Sequence, residues 1–177
     1  MKKIILFICV GLFIYGCNNN DSSDKFKEMK EIEKLTKKQF SEEAGAIYAN
    51  VFQEIGKLLN KHEKIDVAFE KDIDILYQSS VKQMLEYGKV LANKEEQIRE
   101  DYLFASTLAA WDALDKIDPK VSADVEKQLD ERMHEFEEYQ SLTLERKFDD
   151  LFAIMDFLNF EKLKEERPES AKEFGIQ

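Results

Sequence analysis

This chain of 177 residues is short of the residues that stop helices and staple folds. Its two cysteines, Cys9 and Cys17, both fall in the first seventeen positions, so none is left to cross-link the rest. Without a disulfide the bulk of the chain must stand on its hydrophobic core. Beyond residue 16 there are two prolines (Pro119, Pro168) and four glycines (Gly45, Gly56, Gly88, Gly175), little material for turns. Alternating Val/Ile/Thr runs are also missing, while Glu, Lys, Leu and Ala abound, and both facts point to helix. Histidine is scarce too, with His62 and His134 alone. The chain carries no Gly-flanked serine, no phosphate-cradling glycine loop and no HExxH, so the expectation is a protein that is not an enzyme and holds no cofactor or metal. Positive charge is the last shortage. Lys and Arg number 26 against 37 Asp and Glu, a net charge of −11. Phosphate neutralisation needs clustered cations, so no nucleic acid is expected as a partner. The same balance disfavours an electrostatic grip on anionic lipid heads.

The N-terminus is the most distinctive segment present. Lys2 and Lys3 open it, Ile4 to Tyr15 follow as a nearly unbroken apolar run, and Ile14-Tyr15-Gly16-Cys17 leads into polar Asn18-Asn19-Asn20. A basic start, a short apolar core and a small residue at the cut are the plan of a secretory signal. The run is shorter than the roughly 20 residues that span a bilayer. With Cys directly after the small residue, residues 1–17 resemble a bacterial lipoprotein signal peptide with its lipobox, although Ile14 stands where that class usually has Leu and Tyr15 is bulkier than usual. The resemblance implies removal of residues 1–16, a diacylglycerol on the Cys17 sulfur and an acyl chain on its new amino group. Such chains hold a protein on a membrane without a transmembrane helix. The implied location is the cell envelope: the outer membrane of a two-membrane bacterium, given Asn18 after the cysteine, or the surface of a one-membrane one. Losing Lys2 and Lys3 with the leader moves the net charge from −11 to −13.

Residues 17–24 read as the lipidated cysteine and a flexible tether, and 25–177 as one domain with a single core. Phe40, Ala44, Ile47, Val51, Ile55 and Leu58 mark one buried face of a first helix over about 25–61, capped by Asp24 or broken near Ser41. Asp66 caps a second helix to about residue 91, with Phe69, Ile73, Leu76, Ser80, Met84, Tyr87 and Leu91 in register. Asn93 with Glu96 suggests a capping-box start to a third. That helix carries two apolar stripes, Ile98/Tyr102/Ala105/Ala109/Ala113 and Leu103/Ala110/Leu114, with Trp111 beside them, which predicts a central position. Asp118-Pro119 opens a fourth pattern, Val121, Val125, Leu129, Met133, Phe136, Phe148, Leu151, Met155 and Leu158, bent around Ser141 to Thr143 and ended by Pro168. The expected fold class is all-α: an up-down helical bundle of about four main helices, the last long and bent.

Two stretches bear on function. Glu131 and His134 have the Glu-x-x-His spacing of di-iron bundles, but His62 has Leu59 three residues before it, so a second motif is missing. With Met133 and Phe136 on the buried stripe, that pair is expected on a solvated face. Phe148 to Phe160 is far more apolar than one buried stripe requires. Phe148, Phe152, Met155 and Phe160 are therefore the candidate partner- or ligand-binding residues, the alternative being a helix packed on several neighbours. The functional expectation is a lipid-anchored adaptor or accessory subunit presenting a helical face to another envelope or extracellular protein. A carrier holding an apolar ligand between helices is the alternative, and self-association through the long fourth helix would make a homo-oligomer.

Overall fold

The computed structural model describes residues 27–176. The leader, Cys17, the tether and the Asp24 cap lie outside the described residues. Everything regular among the described residues is helical: α1 (Met29–Ile32), α2 (Lys37–Lys61), α3 (Val67–Ala92), α4 (Glu96–Leu114), α5 (Pro119–Tyr139), α6 (Leu142–Phe152), a 3-10 turn (Ile154–Leu158), α7 (Phe160–Glu166) and α8 (Pro168–Glu173). The all-α bundle stands, with more helices than four.

The extra boundaries have local causes. The first helix breaks at residues 33–36 rather than at Ser41, because Thr36 and Gln39 form a reciprocal capping box that starts α2 anew. Asp66 caps α3 by accepting from the amides of Ala68 and Phe69. Asn93 closes α3 instead of opening α4, whose N-cap Glu95 makes no side-chain cap bond. Asp118 and Pro119 open α5 as their chemistry demands, Asp118 accepting from the Lys120 amide. The expected bend at 141–143 is a full break: Gln140 takes a left-handed conformation (φ 51°) and the Ser141 side chain caps α6. Pro168 does not end a helix but occupies the first turn of α8.

Helix α3 is the centre. It buries Phe69, Ile73, Tyr77, Val81, Met84 and Leu91 among others, and it packs against α1, α2, α6 and the 3-10 turn. It runs antiparallel to α2, since His62 at the end of α2 meets Phe69 edge to face while Phe40 near its start meets Tyr87 in the same way. The second half of the chain then shadows the first. Helix α4 follows α2 in the same direction, with Ser106 beside Ser41 and Ala109 against Gly45. Helix α5 continues along the rest of α2, Val125 filling the space over Gly56 and Gln128 donating to Asn60. The pairs Ser141–Glu70, Asp150–Tyr77 and Phe157–Gly88 likewise set α6 and the 3-10 turn parallel to α3. An up-down-up-down path is thus corrected: α5 does not reverse after α4.

Buried polar groups fasten this path. Asp150 on α6, 1% exposed, accepts from Tyr77 Oη (2.9 Å), Ser170 Oγ (2.5 Å) and Arg167 Nη1 (2.9 Å). Arg146 donates to Ser170 Oγ and to Glu173, which also accepts from Gln78. One carboxylate therefore ties α3, α6 and α8 together. Burial, and then the Asp150 charge, push the Tyr77 phenol well above its ordinary range. At the other end, Arg132 donates to the carbonyls of Leu59 and His62, closing the C-terminus of α2, while Glu135 accepts from the Ile65 amide. The Arg132 guanidinium holds the Glu135 carboxyl below its usual range. No buried side-chain polar atom among the described residues lacks a partner.

Candidate functional site

Phe148, Phe152, Met155 and Phe160 sit where the chain crosses α3. Phe148 is buried, with ring centroids 5.0 Å from Phe136, 5.3 Å from Phe152 and 6.4 Å from Phe69. Phe152, Met155 and Phe160 are half-buried and packed on the core. The chain here breaks into α6, the 3-10 turn and α7, so its apolar residues point in several directions and meet several neighbours. The structure brings the four together as part of the wall of the core.

Glu131 and His134 lie on the solvent face of α5, and no three His, Cys, Asp or Glu side chains among the described residues come together to hold a metal. His62 Nε2 lies 2.8 Å from Asp72 Oδ2, whose carboxyl is held below its usual range by the Lys61 hydrogen bond and, less, by His62. Met133 is exposed rather than buried, because Arg132 and Phe136 take the inward positions on that turn.

An outward apolar row lies on α4. This helix is corrected from central to peripheral: its only buried residues are Ser106 and Ala110, and it packs almost entirely on α2. The cause is the size of its side chains. Ala105, Ser106, Ala109, Ala110 and Ala113 form a small-residue face, and Gly45 lets that face come close, since a Cβ there would lie 2.6 Å from the Ala109 carbonyl carbon. Small residues thus take the side of α4 that faces α2; Tyr102 and Leu103 pack on the core beside it, and Phe104, Leu108 and Trp111 turn outward.

Phe104 (68% exposed), Leu108 (52%) and Trp111 (69%) follow one another at four and three residues. That spacing lines them up along about 10 Å of a single helix face. Around them stand Glu100, Asp101, Asp112 and Asp115, all exposed. The cations at the margin are Lys37, whose Nζ lies 3.8 Å from Asp101, and Lys116, in the shallow groove of about 440 Å³ between α2 and α4. Single exposed apolar residues are normal; three in a row on one helix face are less usual. The sequence signal was present in the alternation of alanines with Phe104, Leu108 and Trp111; both faces look apolar, and only side-chain size separates them. No helix among the described residues is long and apolar enough to cross a membrane. Comparison with known proteins gives no match: no family model fits the chain, and no curated protein or solved structure is significantly similar to it.

Proposed function

We propose that this protein is a lipid-anchored helical adaptor of the bacterial cell envelope, which engages another protein through the outer face of α4. The observation that carries this reading is the row Phe104, Leu108 and Trp111, large apolar side chains turned to solvent on a helix whose inner face is already satisfied by α2. Such a row at helical spacing is the form in which helix-to-groove and helix-to-helix recognition is made, with aromatic anchors contributing most of the binding. The aromatic bulk that a carrier would need around a cavity is instead packed ring on ring, as Phe148 is with Phe136 and Phe152. That favours contact at the surface over cargo in the interior. A lipid on Cys17, which the N-terminal segment resembles, would hold this surface near the membrane.

The reading is tested with a photo-crosslinking amino acid at Leu108 in the native envelope. The expected product is one stoichiometric protein adduct that disappears when Phe104→Asp is added and is absent when the crosslinker sits at exposed Met133 on α5. A crosslink to lipid alone, or an adduct indifferent to Phe104→Asp, refutes the α4 contact. Mass spectrometry of the N-terminal peptide checks the anchor: it should begin at Cys17 and carry diacylglycerol plus one acyl chain.

A further inference from the structure

The charge around the α4 row identifies the kind of partner. This inference rests on the proposal that α4 is a contact surface, and it adds which chemistry fits it. We infer that the occupant is a cationic amphipathic helix of another protein, with an apolar stripe flanked by lysine or arginine.

Three features on the page lead there. Phe104, Leu108 and Trp111 supply about two turns of apolar contact, the length matched by the i, i+3/i+4, i+7 anchors of a single partner helix. Glu100 and Asp101 lie at the N-terminal end of the row and Asp112 and Asp115 at its C-terminal end, so a docked helix meets acid at both ends of the stripe. Basic residues beside the partner's apolar stripe would be drawn to them, which speeds encounter and fixes the register. The cations within reach, Lys37 and Lys116, are two against four acids: Lys37 makes only a long, exposed pair with Asp101, Lys116 sits to one side in the α2–α4 groove, and Arg99 is committed to Glu161.

The same rim argues against a second copy of this chain. In a two-fold dimer the same patch faces itself. The acids of one α4 would meet the acids of the other, and like charges brought together at an interface cost stability. A second observation makes the surface directly readable. Trp111 is the one tryptophan of the chain, so its emission reports this surface and nothing else.

The test uses the mature chain held by its anchor in phosphatidylcholine vesicles. The probes are a 14-residue leucine/lysine amphipathic helical peptide and its leucine/glutamate counterpart with the same apolar pattern. Binding of the leucine/lysine peptide should shift Trp111 emission to the blue and shield it from iodide, while the leucine/glutamate peptide should leave it unchanged. Asp112→Lys with Asp115→Lys should weaken binding at least tenfold at low salt. That change removes acid from the C-terminal end of α4, where cations suit the helix dipole, so the fold is not weakened by it. Raising the salt from about 50 to 500 mM should weaken the unmodified protein about tenfold and the double variant far less, since exposed charges are screened.

The failures are separable. If both peptides bind alike, the charge inference is overturned while the contact on α4 stands. A Trp111 emission that shifts with protein concentration and not with either peptide makes a second copy the occupant, and overturns the inference too. A leucine/lysine peptide that binds equally to Phe104→Asp is attracted by acid alone, which removes both this inference and the α4 contact. Absence of any response overturns the inference outright.

Discussion

Among single residues, Asp150 carries the heaviest structural duty. It is a charge at 1% exposure whose three donors come from α3, from α8 and from Arg167 at the junction of α7 and α8. Removing one partner of a buried charged pair leaves the others without their acceptor, typically at about 3–5 kcal/mol. Arg146 and Arg167 are about a quarter exposed, so water can take over part of the task, and Asp150→Ala belongs at the lower end. The expected loss of about 3 kcal/mol corresponds to a melting point lower by about 10 °C. Urea unfolding followed by circular dichroism checks it; a loss under about 1 kcal/mol would mean that Asp150 is not the fastener. In the sequence, Asp150 is one acid among 37 and nothing marks it. Its role exists only because Tyr77 and Ser170, both far from it along the chain, close around it. Phe104 was hidden for the opposite reason: its neighbours on both helix faces are apolar, so periodicity alone does not say which face looks inward.

Individual elements were legible wherever a boundary is made by adjacent residues. Asp66 and Asp118-Pro119 act within three residues of themselves, and both helix starts follow from the sequence. Gln140 has no such local chemistry, since its left-handed φ of 51° is imposed by the chain's passage from α5, on α2, to α6, on α3. The α2–α4 pair shows how packing sets an element's place. At Gly45 a methyl group would come within 2.6–2.7 Å of the backbone of Ala109 and Ala110, which cannot turn aside as a side chain can. Alanine gains about 1 kcal/mol of helix propensity over glycine, but overpacking costs about 1–3 kcal/mol. Gly45→Ala should therefore be net destabilising by about 1–2 kcal/mol and should loosen α4 first. Thermal melting measures the first effect and limited proteolysis within residues 96–114 the second. Gly56→Ala is the comparison: there a methyl would meet Cγ2 of the Val125 side chain on α5, so that variant should loosen α5 and leave α4 seated. Proteolysis that opens α4 no sooner in Gly45→Ala than in Gly56→Ala would remove the argument that backbone contact seats α4.

At the scale of the whole molecule, helix content was legible and the path of the chain was not. Composition and periodicity give an all-α protein, but whether α5 turns back or runs on is decided by distant fits: Val125 over Gly56, and Arg132 on the end carbonyls of α2. That path makes the two ends of the domain unequal. Near the start, Lys27 reaches only an exposed pair with Glu43, and α1 contributes Ile32 to the core. At the other end, residues 167–176 supply Arg167 and Ser170 to Asp150, Glu173 to Arg146 and Gln78, and the Phe174 ring at 5.6 Å from Tyr77 and 6.2 Å from Phe157. A chain trimmed to begin at residue 25 should keep a single cooperative melt, because it retains every contact described among residues 27–176. A chain ending at Glu166 should not, since it strips a buried carboxylate of two donors and uncovers Tyr77 and Phe157 in the centre of the core. Loss of packing with hydrogen-bonded helices retained is the expected result: far-ultraviolet circular dichroism still helical, a broad melt, and binding of a hydrophobic dye. Calorimetry on the two truncations decides the matter. A sharp melt within a few degrees of the intact protein for the chain ending at Glu166 would show that α8 merely rests on a core complete without it, and that Asp150 finds sufficient partners in Tyr77 and Arg146 alone.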